Sequence, residues 1–221
     1  MQEIYADNGH TLSFKGELQR KLIHLVSSVI PIGYFFLDRW VVLSILLPIL
    51  FLMLAVEAAK YRSDLIYRLY TKLFKHMLKG HEFDRSKLRL NGASWVLLAD
   101  VLCIILFPKL VAITGMLMLS LADSLSGIAG RKFGKKQFAP NRSYAGTITF
   151  FVVGVLIIVF TPKYFYSSIE YTLGIVVVIV TTVADSMNLP ADDNFIIPFI
   201  SSALYYVLYI IFFPGIFTVN S

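Results

Sequence analysis

One carboxylate, Asp123, stands inside an apolar run long enough to cross a bilayer. A glycine-studded basic turn follows it: Leu121-Ala-Asp-Ser-Leu-Ser-Gly-Ile-Ala-Gly-Arg-Lys-Phe-Gly-Lys-Lys136. An acid at membrane depth costs about 2–4 kcal/mol on insertion scales, so it needs a partner or a chemical role. Arg131, Lys132, Lys135, Lys136 and Arg142 come next, all expected at one membrane surface. A buried acid beneath a cluster of cations is the arrangement expected for a metal-bound ligand that carries a polyphosphate. Asp123, Gly127, Gly130 and Gly134 share one face of a helix. Their missing side chains let either another backbone or a nucleotide come close. Gly130 and Gly134 also form the small-residue pair used in helix packing, and spacing alone leaves both readings open. Asp123 precedes Gly130 by seven residues, which puts it about 10 Å below the helix end at 1.5 Å per residue.

Two later segments add oxygen and nitrogen ligands. In Pro140-Asn-Arg-Ser-Tyr-Ala-Gly-Thr147, Arg142 offers a planar fork for phosphate, Ser143 and Thr147 offer hydroxyls, and Gly146 allows close approach. A helix beginning here would contribute unpaired N–H groups and a partial positive charge, although a plain loop and N-cap also account for the residues. Asp192-Asp-Asn194 opens the last apolar run. These residues cap a helix well, but capping needs only one of them. Three oxygen-bearing side chains in a row also suit Mg²⁺, a hard cation that usually shares its coordination with substrate phosphates and water. Asp185 reads as an end-of-helix carboxylate of lesser weight. The remaining polar residues in apolar runs are Arg20, Lys21 and His24, then Glu57 and Lys60, then the deeper Asp100. Lys60 is expected to snorkel to the surface or to neutralise Glu57 three residues away.

The elements that must position these groups are membrane helices. The chain is 57% hydrophobic and only 15% charged, with a mean hydropathy of +0.72. Soluble domains carry about 25% charged residues. Apolar runs of about 20 residues mark membrane helices. Seven are expected, at 22–37, 40–59, 92–107, 109–129, 146–161, 169–188 and 194–213. The fold class is an all-α polytopic membrane bundle in a single domain over 1–221. Residues 60–89 carry apolar positions at helical spacing against a basic face, the pattern of an amphipathic helix at the membrane interface. Such a helix either lies flat on the bilayer or gates lipid entry. The first fifteen residues are polar with no cleavable signal pattern, so the first span is expected to be retained.

Seven spans put 17 of the 20 lysines and arginines on one side, leaving Arg39, Lys109 and Lys163 on the other. The positive-inside rule then predicts a cytoplasmic N-terminus and a C-terminus on the opposite side. The +6 net charge therefore reads as topology, and nucleic-acid binding is excluded as a function class. Cys103 is alone, so no disulfide or metal cluster is expected of it. The four histidines make no zinc spacing, and no Gly-x-x-x-x-Gly-Lys-Ser/Thr phosphate loop is present.

Taken in order, Arg20-Lys-Leu-Ile-His24, Asp123 with Gly127 and Gly130-Arg-Lys-Phe-Gly134, Arg142-Ser-Tyr-Ala-Gly-Thr147, and Asp192-Asp-Asn-Phe-Ile-Ile-Pro198 resemble the motifs of the polyprenol kinase family. That family includes dolichol kinases, phytol kinases and CTP-dependent diacylglycerol kinases. Arg142 stands where lysine is usual, and Thr147 where serine is usual; both keep the needed chemistry. The resemblance implies transfer of the γ-phosphate of CTP to the hydroxyl of a membrane lipid alcohol at the cytoplasmic face. It implies Mg²⁺ held by Asp123, Asp192, Asp193 and Asn194. It implies phosphates held among Gly127, Gly130, Arg131, Gly134, Lys135, Lys136, Arg142, Ser143, Gly146 and Thr147. A carboxylate, Asp193 or Glu57, would accept the hydroxyl proton. The glycine region is also similar to CTP:phosphatidate cytidylyltransferases, but those carry a C-terminal signature with histidine, and no histidine follows His81 here. A small transporter is the non-enzyme alternative. Such proteins place their sites at the midplane between repeats, whereas here the polar residues gather at helix ends and no repeat is visible.

Overall fold

A computed structural model describes residues 14–74, 90–139, 142–187 and 192–217. Ten α-helices are described: α1 Phe14–Val26, α2 Val29–Phe36, α3 Arg39–Arg62, α4 Asp64–Phe74, α5 Gly92–Leu106, α6 Lys109–Leu117, α7 Ser124–Phe133, α8 Tyr144–Phe160, α9 Ser168–Ser186 and α10 Asp193–Phe212. A π-helical segment, Met118–Asp123, joins α6 to α7. Four helical stretches are long and apolar enough to cross a membrane: Arg39–Arg62, Lys109–Phe133, Ser168–Ser186 and Asp193–Phe212. α5 and α8 are shorter apolar helices. The fold is all-α, as expected from the composition.

Three local features depart from the sequence reading. The first expected span, 22–37, is broken at Ser27–Ser28 into α1 and α2. Pro31 is the cause: it has no N–H for the Ser27 carbonyl, and its ring crowds that carbonyl in a continuous helix. Ile30 N bonds Ser27 O at 2.9 Å instead. The second departure is a short antiparallel hairpin in the 130–145 loop, β1 Gln137–Ala139 with β2 Arg142–Ser143. The third is the π segment ending at Asp123. Widened turns of this kind are frequent at functional sites. The expected amphipathic helix is present as α4, and its 75–89 portion, with His76 and His81, lies outside the described residues.

The continuous stretch Lys109–Phe133 is the centre of the bundle, 72% buried along its most apolar part. α6 packs against α2, α5, α8 and α10. Gly115 makes the α10 contact possible, since a Cβ there would stand 2.6 Å from the Pro198 carbonyl and collide with Ser202. Around this axis the helix ends gather at two faces. At one, Arg39 donates to Phe107 O at 2.9 Å and Lys109 to Leu37 O at 3.0 Å. The α8–α9 turn is pinned at the same face by fully buried Glu170, which accepts from Tyr164 N, Phe165 N, Ser167 N and the Tyr209 hydroxyl. Lys163 stands beside it, its pKa lowered to about 8 by burial against the opposing pull of Glu170. Arg39, Lys109 and Lys163, the three cations set apart by the charge count, thus share this face. Among the described residues, Lys21, Asp123, Arg142, Asp185 and Asp193, with Glu57 and Lys60 near the end of α3, belong to the opposite end of the bundle, and Asp100 lies deeper.

Candidate active site

α1 crosses the π segment and α7 at the site end. There Lys21 Nζ donates to Asp123 Oδ2 at 2.5 Å and to the Asp123 carbonyl at 3.2 Å. The two side chains are 8% and 6% exposed. Gly127, one turn after Asp123, leaves the room for this contact. A Cβ at that position would strike Lys21 Cε and stand 3.1 Å from Nζ. Arg20 and His24 flank the pair within electrostatic reach of Asp123. The partner that Asp123 requires at this depth is therefore Lys21.

A second ion-paired cluster stands next to it. Arg142, on β2, splits its guanidinium between two helices. Nη1 donates to Asp185 Oδ1 of α9 at 2.9 Å, and Nη2 donates to Asp193 Oδ2 of α10 at 2.9 Å. The side chains are 19%, 5% and 43% exposed in that order, so the group opens toward Asp193. Burial works against the charge on Arg142. The Asp185 and Asp193 carboxylates, with a further pull from Asp123, outweigh it and hold the guanidinium pKa above its ordinary value. Asp123 also interacts electrostatically with Asp185 and Asp193, so the two clusters form one charged site. Asp185 is the residue that sequence reasoning undervalued. The available signal was its place near the end of a membrane span, where an ionisable side chain deserves a functional reading by default.

The glycines face protein neighbours here. Cβ atoms at Gly130 and Gly146 would each lie 3.5 Å from the other's Cα, so α7 and α8 meet backbone to backbone. A Cβ at Gly134 would collide with the Gly130 carbonyl and come within 2.5 Å of Ser143 Oγ. Ser143 caps α8 by accepting from Gly146 N at 3.2 Å, and Thr147 Oγ1 lies 3.4 Å from Ser186 Oγ. Arg131, in the last turn of α7, and Lys135 and Lys136, on the turn before β1, are exposed at the rim of this end.

At the start of α10 the three consecutive polar residues divide their work. Asp192 caps the helix, accepting from Asn194 N at 3.0 Å. Asp193 takes Arg142. Asn194 is buried and donates to Gly92 O at 3.4 Å, tying α10 to α5. Glu57 and Lys60 belong to the neighbouring α3–α5 corner. Glu57 Oε1 accepts from Asn91 N at 3.0 Å and from Ser94 Oγ at 2.9 Å. Lys60 is 2% exposed with Nζ 4.5 Å from the centre of the Tyr70 ring, so it does not snorkel to water; the aromatic rings of α3 and α4 cover it. Asp100 is buried deeper in α5 and stands apart from both clusters.

Among the described residues no three His, Cys, Asp or Glu side chains converge as a metal-binding group. Asp123, Asp185 and Asp193 nevertheless supply hard oxygen donors, and each has one oxygen on a cation. Mg²⁺ usually takes one or two carboxylates and completes its shell with substrate phosphates and water. The donor set fits an ion shared with a polyphosphate rather than an all-protein cage.

Comparison with known proteins finds lipid kinases among the proteins similar to this chain. The chain is 29% identical over 194 residues to an uncharacterized protein of Rickettsia prowazekii, covering 85% of this chain and 92% of that one. It is 26% identical over 215 residues to CTP-dependent diacylglycerol kinase 1 of Saccharomyces cerevisiae, covering 85% of this chain and 72% of the yeast protein. It is 28% identical over 198 residues to phytol kinase 1, chloroplastic, of Arabidopsis thaliana, covering 82% and 63%. No family model and no solved structure matches the chain.

Proposed function

We propose, on the premise that this chain belongs to the polyprenol-kinase family of membrane lipid kinases, that it phosphorylates the hydroxyl of a membrane lipid alcohol with CTP as donor. The observation that carries this reading is the Arg142 guanidinium held between Asp185 and Asp193 beside the Lys21–Asp123 pair. Phosphoryl transfer asks a protein mainly for positioning and charge neutralisation. The site holds both signs of charge already assembled: cations able to take phosphate oxygens and carboxylates able to take a metal.

Arg142 presents a planar fork to the transferring phosphate, the geometry that distinguishes arginine from lysine. Lys21 supplies a point charge from the other side. Arg131, Lys135 and Lys136 draw the nucleotide to the rim, and Ser143 and Thr147 add hydroxyls at the α8 start. Asp123 and Asp185 would hold Mg²⁺, which when bound neutralises charge on the donor's phosphates. Asp192 and Asn194 brace the first turn of α10, so that Asp193 faces Arg142. The acceptor hydroxyl gives its proton to Asp193, the carboxylate open to solvent. Glu57, with Oε1 on Asn91 and Ser94, braces α3 against α5. Incubation with γ-labelled CTP, Mg²⁺ and a panel of lipid alcohols tests the reaction. Label on the lipid with release of CDP is expected; pyrophosphate release with a CDP-lipid product would overturn the reading in favour of cytidylyl transfer.

The proposed topology is seven spans, with the α1–α2 pair as a broken first one, the active site in the cytoplasm and the C-terminus outside. The basis is the 17-to-3 partition of cations between the two sides. In Lys135→Cys, an impermeant thiol reagent is expected to label only after the membrane is opened. Labelling of that cysteine in intact cells excludes this orientation.

A further inference from the structure

We propose that the cavity between α2, α3 and α5 holds one hydrocarbon chain of the acceptor and delivers its hydroxyl to the charged site beside His24. The proposal rests on the lipid-kinase reading and names where that reaction's second substrate binds. The cavity is about 550 Å³ and almost wholly apolar, with His24 and Ser27 among its lining. Both belong to the α1 end of the first broken helix, three and six residues beyond Lys21. His24 is itself within electrostatic reach of Asp123. From there the lining runs along α2 and α3 toward the opposite face, ending near Leu37 and Val42. Met53 to Val42 is eleven residues, about 16 Å of α3 at 1.5 Å per residue.

The shape commits the site to an occupant. Tyr34, Leu46, Val96 and Leu97 form a buried floor, while Val29 and Ile45 are 65% and 51% exposed at the lip. In a bundle of membrane helices such a lip opens sideways to lipid, so a chain enters without passing through water. If a methylene takes roughly the room of a water molecule, about 30 Å³, the cavity holds about eighteen carbons. That is the volume of one long chain. The break at Ser27–Ser28 serves this arrangement: it ends the apolar wall at the depth where the polar residues of α1 begin. Ile45, Ile49 and Met53 make one stripe of α3, and Glu57 continues it one turn further on. Charge therefore stands beyond the cytoplasmic end of the cavity and apolar surface everywhere else. An amphiphile with a terminal hydroxyl fits this polarity; a soluble alcohol would leave the apolar wall wet.

Gly33 makes the idea testable. It lines the cavity, and a Cβ placed there meets nothing within 4 Å. Gly33→Leu fills the cavity without a clash at its first atom, and it replaces a poor helix former by a good one. With γ-labelled CTP, the ratio of kcat/KM for a C18 alcohol to that for a C6 alcohol is expected to fall at least about tenfold, because several methylenes lose their buried wall. An unchanged ratio in a variant with an undiminished thermal midpoint overturns the proposal. A second measurement does not depend on turnover: an eighteen-carbon alcohol carrying a diazirine near its chain end is photolysed with the protein in vesicles. Crosslinks on α2 and α3 that Gly33→Leu suppresses support the site; crosslinks elsewhere, or undiminished in the variant, overturn it. If the wild-type protein transfers label to no alcohol at all, the kinase reading fails, and crosslinking alone decides the fate of the cavity.

Discussion

Asp123→Asn is expected to lower phosphoryl transfer by at least about a hundredfold, the scale of removing one preorganised charged or hydrogen-bonding group from a reacting centre. It is also expected to destabilise the protein. Lys21 is 8% exposed on its side chain and would be left buried without its anion. Breaking a buried pair by removing one partner costs about 3–5 kcal/mol. Loss of activity in this variant alone would therefore be ambiguous. The double variant Lys21→Met with Asp123→Leu separates the two effects. Replacing both members of a buried pair by well-packed apolar groups of similar volume is often close to neutral for stability. The double variant should recover much of the thermal midpoint and remain inactive. Recovery of near-wild-type turnover would mean that the pair is only a strut between α1 and the π segment, and the active site would have to lie elsewhere. A further readout follows the ligand: the rise in thermal midpoint that Mg²⁺ with CTP gives the wild-type protein should vanish in the double variant.

Arg142→Lys is expected to be nearly as harmful as Arg142→Met, although it keeps the charge. The guanidinium reaches Asp185 on α9 and Asp193 on α10 through two different nitrogens, each at 2.9 Å. A lysine ammonium is a single point and cannot reproduce that planar fork. Hydrogen bonds to charged groups contribute about 1.5–3 kcal/mol each, so kcat/KM for CTP should fall about ten- to a hundredfold in Arg142→Lys. Wild-type kinetics in that variant would show that a simple positive charge suffices and would remove the fork from the mechanism. The same geometry ranks the two carboxylates. Asp185 is 5% exposed against 43% for Asp193 on the side chain, so Asp185→Asn disturbs the more buried end of the bridge. It should cost more stability than Asp193→Asn, whereas Asp193→Asn, which removes the proton acceptor, should cost at least as much activity. Parallel measurement of thermal midpoint, kcat and KM for the two asparagine variants decides the order.

Much of this protein follows from its sequence alone, because the physics involved is local or compositional. Apolar length marks the membrane helices, and the distribution of lysine and arginine divides the chain into two sides. The types of residue in the four polar motifs point to phosphate chemistry, and relatives named as kinases agree with that. Asp123, Arg142 and Asp193 are legible as candidates because each is an ionisable group where membrane or helix-end position makes it conspicuous, and the structure brings their ion pairs together. Which charge answers which is a different matter. Lys21 and Asp123 are 102 positions apart, Arg142 and Asp193 are 51 apart, and Arg142 and Asp185 are 43 apart. Ion pairing acts through space between helices, and spacing along the chain does not encode it. The glycines illustrate the same limit. Sequence left them open to a nucleotide or to a backbone, and packing gave Gly127 to Lys21 and Gly130 to Gly146. Asp192 and Asn194 read as ligands from the sequence, and the fold gives one the work of a cap and the other that of a tie to α5. The break before Pro31 was written in a single residue, but the cavity it borders exists only because α3 and α5 stand beside α2. Composition and periodicity determine which surfaces are apolar and which residues carry charge; only the tertiary arrangement decides which of them meet, because that depends on how the helices cross.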